Sequence, residues 1–136
     1  MVRVRIERAA DGLIRGFAVR GHAGFGARGQ DIVCAAVSAL TQTAVLALER
    51  RLGVPAEVAA GPGILTCRLP AGMNAGTAAR AQDALETMCL GLREIAHAYP
   101  AGLAMVDGVV GPAADADAAP GAGVPRGRCP AGRESG

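Results

Sequence analysis

Val2, Val4 and Ile6 alternate with Arg3, Arg5 and Glu7. A period of two sets one side of a segment against a core and the other in water, so a strand is predicted here. Asp11-Gly12 follows, a two-residue turn signal because both positions tolerate positive φ. Residues 13–20 then read as the returning strand, with imperfect alternation, since Arg15 falls on the side of Leu13, Phe17 and Val19. Glycines at 21, 24, 26 and 29 predict a loop over residues 21–30.

From Asp31 to about Leu52 the period lengthens. Ile32/Val33, Ala36/Val37, Leu40, Ala44 and Leu48 recur at three- and four-residue steps, with Gly53 as a stop and Pro55 beyond, which predicts a helix. Residues 54–60 and 64–69 flank Gly61-Pro62-Gly63 and read as a second hairpin. Asn74 is placed to cap a second long helix whose buried stripe is Ala78, Ala81, Leu85, Met88, Leu92, Ile95 and Tyr99, and Pro100 ends it. Residues 102–106 form a short last strand. The order ββαββαβ predicts a small single α+β domain, a mostly antiparallel sheet with two helices packed on one face.

Composition sharpens this in three ways. The 136 residues hold no Trp, one Tyr and two Phe, so the core must be built from Ala, Val, Leu and Ile and is thinly filled. From Asp107 onward Gly, Ala, Pro and Asp dominate without periodicity. The domain is therefore expected over residues 1–106 and a disordered tail over 107–136, which has too little apolar mass to offset its ordering entropy. All fourteen basic residues are Arg, yet the net charge is only +2. Residues 1–106 hold eleven Arg against eight acids, and residues 107–136 three against four. No basic stripe emerges, and no direct nucleic-acid partner is expected. The N-terminal residues lack an apolar signal region, and the longest nearly apolar run, residues 32–40, is far short of a membrane span. A cytoplasmic chain with free thiols is the expectation.

Candidate chemistry is confined to one stretch. Gly21-His22-Ala23 precedes the glycine-bearing loop, and Gly29-Gln30-Asp31-Ile32-Val33-Cys34-Ala35-Ala36-Val37-Ser38 follows it. With Asp31 as N-cap, Cys34 becomes the third residue of the first helical turn. Unpaired N–H groups and the positive end of the helix dipole gather there, which favours the thiolate. His22 could act on it as general base, and the same N–H groups could receive an oxyanion. Ser38 and Thr41 continue a short polar line down the helix. On residues alone two other readings stay open: Cys34 as a packed small hydrophobe in a non-catalytic binding module, and the loop as a phosphate cradle, although it matches neither common glycine-rich motif. Cys67 and Cys89 read as structural, His97 as solvated and Cys129 as incidental. The spacings of Cys and His suit no zinc site.

Those two blocks resemble the signature of the ribosomal-processing cysteine proteases, the Prp family, over roughly residues 1–106. The resemblance implies a cysteine endopeptidase with a Cys34–His22 dyad, Asp31 and Ser38 in support and Gly21 in a structural role. It implies removal of a short N-terminal extension from a large-subunit ribosomal protein, the one numbered twenty-seven, by cutting after paired aromatic residues. It further implies a homodimer and a glycine-rich loop that orders over the substrate. Nothing in the sequence requires a metal or organic cofactor. A non-catalytic ribosome-associated binding module is the alternative.

Overall fold

Alternation in the first strand decides which side of the sheet is covered. On β1 (Val2–Arg8) Val2, Val4 and Ile6 are almost fully buried, while Arg3 and Arg5 are exposed. The computed structural model describes residues 1–21 and 28–109, with the backbone alone over 28–31. β1 pairs antiparallel with β2 (Ile14–Arg20), and their register explains the imperfect alternation. Glu7 lies opposite Gly16 and Arg8 opposite Ile14, so Arg15 is the extra residue of a bulge. The bulge returns Ile14 to the core face with Phe17 and Val19, and leaves Leu13 and Arg15 in water.

β3 (Glu57–Gly61) and β4 (Ile64–Arg68) form the second hairpin, and β4 also pairs antiparallel with β2. β5 (Leu103–Val109) returns alongside β1 in parallel, completing a five-stranded sheet of order β3-β4-β2-β1-β5. α1 (Arg28–Leu46) and α2 (Ala75–Ala98) cover the same face. They approach closely enough that a Cβ on Gly91 would lie 2.9 Å from the Leu40 side chain. The core is aliphatic apart from Phe17: Ile6, Ile14, Leu48, Leu85, Leu92 and Leu103 are its large members.

Three boundaries differ from expectation. α1 starts at Arg28, three residues before Asp31, because Gly29 weakens a helix by only about 1 kcal/mol relative to Ala and does not forbid it. Asp31 is thus the fourth helical residue rather than the cap. α1 also closes in a π-helical turn, Ala47–Arg51, where the Leu52 N–H donates to the Ala47 carbonyl at 3.1 Å before Gly53 turns away at φ +64°.

Tyr99 drops out of the α2 stripe. It sits past the last helical residue at φ −131°, ψ 67° and is 46% exposed, since a following proline disfavours the helical region for the residue before it. Finally, β5 runs to Val109, so residues 107–109, expected in the tail, belong to the sheet. Asp107 holds that end by accepting from Arg8 at 2.7 Å and from Arg93 at 2.9 Å, a charge-based anchor that hydropathy does not register. The rest of the expected tail, including Cys129, lies outside the described residues.

By length and composition residues Ile32–Arg51 could cross a membrane. In this fold their apolarity is used against the sheet and α2, with Val33, Val37, Ala44, Val45 and Leu48 buried.

Candidate active site

Gly21 ends β2 and fixes how the chain enters the site. Its φ of +83° lies in the left-handed region. A Cβ added there would fall 2.7 Å from the Met1 carbonyl oxygen. Conformation and space therefore each require glycine. Its N–H donates to the Gly63 carbonyl at 3.0 Å, tying the β2 exit to the tip of the β3–β4 hairpin. His22 is the next residue, within one Cα–Cα step of about 3.8 Å. His22 and the glycine-bearing stretch through residue 27 lie outside the described residues.

The new start of α1 changes the electrostatic picture. The amide N–H groups left unpaired by the first turn belong to residues 28–31. Cys34 is the seventh helical residue, and its own N–H falls within the helical ladder. Helical Cα–Cβ bonds tilt toward the N-terminus, so the Cys34 side chain leans back over the turn that carries the free N–H groups. Asp31 remains an acid in that first turn, where the dipole favours it; its side chain lies outside the description.

Cys34 is 9% exposed, at the border of the core, with Val33 and Val37 beside it fully buried. Ser38 follows one turn on and lines a cavity of about 180 Å³ between α1 and the sheet, together with Val19, Thr41, Gln42, Ile64 and Leu65. Four residues of helix rise about 6 Å, so this groove begins a single turn from the thiol. The polar line expected along α1 divides in two. Thr41 is buried and satisfied, its hydroxyl donating to the Val37 carbonyl at 2.9 Å. The Ser38 hydroxyl and the Gln42 amide have no hydrogen-bond partner among the described residues.

The other thiols differ from Cys34. Cys67 faces the core on β4 beside Leu65 and Leu69. Cys89 is fully buried on α2, and burial, aided by the nearby Asp107 carboxylate, pushes its thiol up to about 11. All three described cysteines are free. His97 is exposed on the last turn of α2. Among the described residues no three His, Cys, Asp or Glu gather as a metal site would require.

Of the expected site residues, Gly21 lies at the exit of β2, Cys34 and Ser38 lie one turn apart on α1, and His22 lies outside the described residues. Gln42, one turn beyond Ser38, also lines the groove, and the sequence did not single it out.

Residues 1–104 match the family described as Cysteine protease Prp. This chain belongs to that family. The chain is similar to the ribosomal processing cysteine protease Prp of Bacillus subtilis (strain 168), 29% identical over 112 residues that cover 81% of this chain and all of the relative. Two solved structures of the essential ribosomal processing protease Prp from Staphylococcus aureus share the fold. The first, in complex with a substrate peptide, superposes with TM-score 0.71 at 24% identity, covering 79% of this chain and all of that one. The second, with a covalently linked product peptide, gives 0.68 at 26% over the same shares. Membership of Prp selects the cysteine protease of ribosomal processing over the binding module and the phosphate cradle.

Proposed function

We propose that Cys34 is the nucleophile of this protease, that His22 is its proton carrier, and that the substrate is the N-terminal extension of a large-subunit ribosomal protein. The observation that carries this reading is the position of Cys34. It lies near the start of α1, one helical turn before Ser38, which lines the groove. It is the most exposed of the three described thiols at 9%, while Cys67 faces the core and Cys89 is sealed in it with its thiolate disfavoured. The covalently linked product peptide of the Staphylococcus aureus relative supports covalent chemistry.

In this mechanism the Cys34 thiolate attacks the scissile carbonyl. The unpaired N–H groups of the first turn of α1 face the tetrahedral oxyanion, a stabilisation worth about 3–4 kcal/mol per donor in comparable sites. His22 protonates the departing amine, leaving a thioester on Cys34, and then takes a proton from the water that hydrolyses it. Gly21 sets where His22 leaves the sheet. Asp31 favours the start of α1 through the helix dipole, and Ser38 offers a free hydroxyl at the mouth of the groove.

The cytoplasm and a homodimer belong to the same proposal. The outer face of α1 exposes Ile32, Ala35 and Ala39, and no charged residue occurs between Ile32 and Leu48. A second copy could cover such a face without burying a charge.

The test uses a synthetic peptide copying the N-terminal segment of the host's ribosomal protein. Cys34→Ala and His22→Ala proteins should keep the parent's circular dichroism and melting temperature and cleave none of it. Cleavage retained by the Cys34→Ala protein would refute the assignment.

A further inference from the structure

The groove contains a second functional group that the dyad does not use. Gln42 lies two turns beyond Cys34 on the same side of α1 and lines the groove. Its amide has one donor end and one acceptor end, and neither has a partner among the described residues. A half-buried carboxamide beside Val19, Ile64 and Leu65 gains by finding a partner that supplies both an acceptor and a donor. The main chain of an extended peptide supplies that pair.

The molecule already performs this pairing once. On α2, Gln82 accepts from the Ile14 N–H at 2.8 Å and donates to the Ile14 carbonyl at 2.8 Å. A glutamine on a helix thus grips both main-chain groups of an extended residue. Gln42 offers the same grip toward the groove, which no strand among the described residues fills.

We propose that Gln42 binds substrate main chain in this groove, one residue's N–H and C=O at a time, while a large apolar side chain of the substrate enters the space walled by Val19, Ile64 and Leu65. This deepens, and rests on, the reading of Cys34 as nucleophile, from which the groove is one helical turn away. The size fits: apolar cavities of about 150 Å³ accept a benzene ring, and this one measures about 180 Å³. Gln42 is a binding residue in this scheme and takes no part in bond making.

The experiment is carried out on the full chain with the same ribosomal-protein peptide, labelled with fluorescein. In the Cys34→Ala background, fluorescence anisotropy gives Kd without turnover. Adding Gln42→Ala should raise Kd about tenfold, and Gln42→Glu, which keeps the acceptor and loses the donor, should raise it about as much. In the active protein Gln42→Ala should raise KM by a similar factor with kcat within about twofold, the signature of lost uniform binding. Melting temperature should be unchanged, since Gln42 has no hydrogen-bond partner among the described residues.

Unchanged Kd and KM in the Gln42→Ala protein would overturn the proposal while leaving the nucleophile assignment intact. Failure of the Cys34→Ala protein to bind a peptide that the parent cleaves would also count against it. Cleavage by the Cys34→Ala protein would instead refute the nucleophile and is read separately from KM.

Discussion

Two helices cover one face of the same sheet, yet they are attached by different means. α2 is fastened by named polar ties: Asn74 caps it through the Thr77 N–H at 2.8 Å, Gln82 grips Ile14, Glu86 reaches Arg8, and Arg93 reaches Asp107. α1 between Ile32 and Leu48 has no charged residue and, among the described residues, is held by apolar packing, with Thr41 bonded within the helix and Ser38 and Gln42 lining the groove. The two glutamines express the contrast best. Gln82 is used by the fold, and Gln42 has no partner among the described residues. Polar groups that the fold has already satisfied hold the molecule together, and those it leaves unsatisfied beside a thiol are available for a substrate.

The cysteines should give the widest separation between the two helices. Cys34→Ser is expected to lower peptide cleavage by about 10⁴-fold or more, as loss of a nucleophile does elsewhere, with no change in melting temperature beyond a degree or two. Cys89→Ala should show the opposite pattern: activity per folded molecule retained, stability reduced by about 1 kcal/mol for the lost core contact. Alkylation followed by peptide mapping adds a second readout. Cys34 should react at neutral pH in the folded protein, whereas Cys89, with its thiol near 11, should react only on unfolding. Equal labelling of the two would dissolve the distinction.

Gly21 comes next, because it belongs to the site by position and to the fold by constraint. Gly21→Ala puts a Cβ against the Met1 carbonyl and a side chain at φ +83°, for an expected loss of about 1–3 kcal/mol. Cleavage should fall along with stability, since the residue sets the exit of the His22 segment. A stable Gly21→Ala protein would show that the β2 exit can shift. Gln82→Ala should cost about 2 kcal/mol by leaving two half-buried main-chain groups of Ile14 unpaired. The measurement is urea unfolding, and Gln42→Ala in the same assay should cost nothing. A Gln82→Ala protein as stable as Gln42→Ala would erase the difference from which the comparison starts.

How far the sequence could be read follows the same division. Features that depend on local period and turn chemistry were legible: the alternation of Val2, Val4 and Ile6, the Asn74 cap, the inward Cys67, the Gly53 stop. The blocks around Gly21 and Cys34 carried the family. Features that depend on contacts between distant parts of the chain were not. The bulge at Arg15 is visible only once β1 lies beside β2, and the strand beyond Val106 is held by Arg8, nearly a hundred positions away. The start of α1 lay hidden for another reason. Glycine and glutamine at 29 and 30 allow both loop and helix, and local propensity is too weak to choose between them. With the helix moved back, Asp31 loses its cap role and the free N–H groups shift to residues 28–31.

The smallest effect tests the ionic fastening at the far end of α2. Asp107 accepts from Arg8 and Arg93 together, and these hydrogen bonds, Arg8 foremost, hold its carboxyl below the usual aspartate range. A depressed folded-state value stabilises the native protein above the unfolded value, about 3.9, and that contribution disappears as pH falls through the folded one. Asp107→Asn should therefore cost about 1 kcal/mol at pH 7, measured by urea unfolding. The gap between variant and parent should close as pH drops below about 4. It should also shrink in 1 M salt, since the ligating groups are partly solvated. Peptide cleavage measured at pH 7 should find the activity of Asp107→Asn equal to the parent's, because none of the described groove-lining residues lies on β5 or α2. An activity loss larger than the loss of folded protein would mean that the fastened half and the reactive half are coupled, and the contrast between the two helices would have to be redrawn.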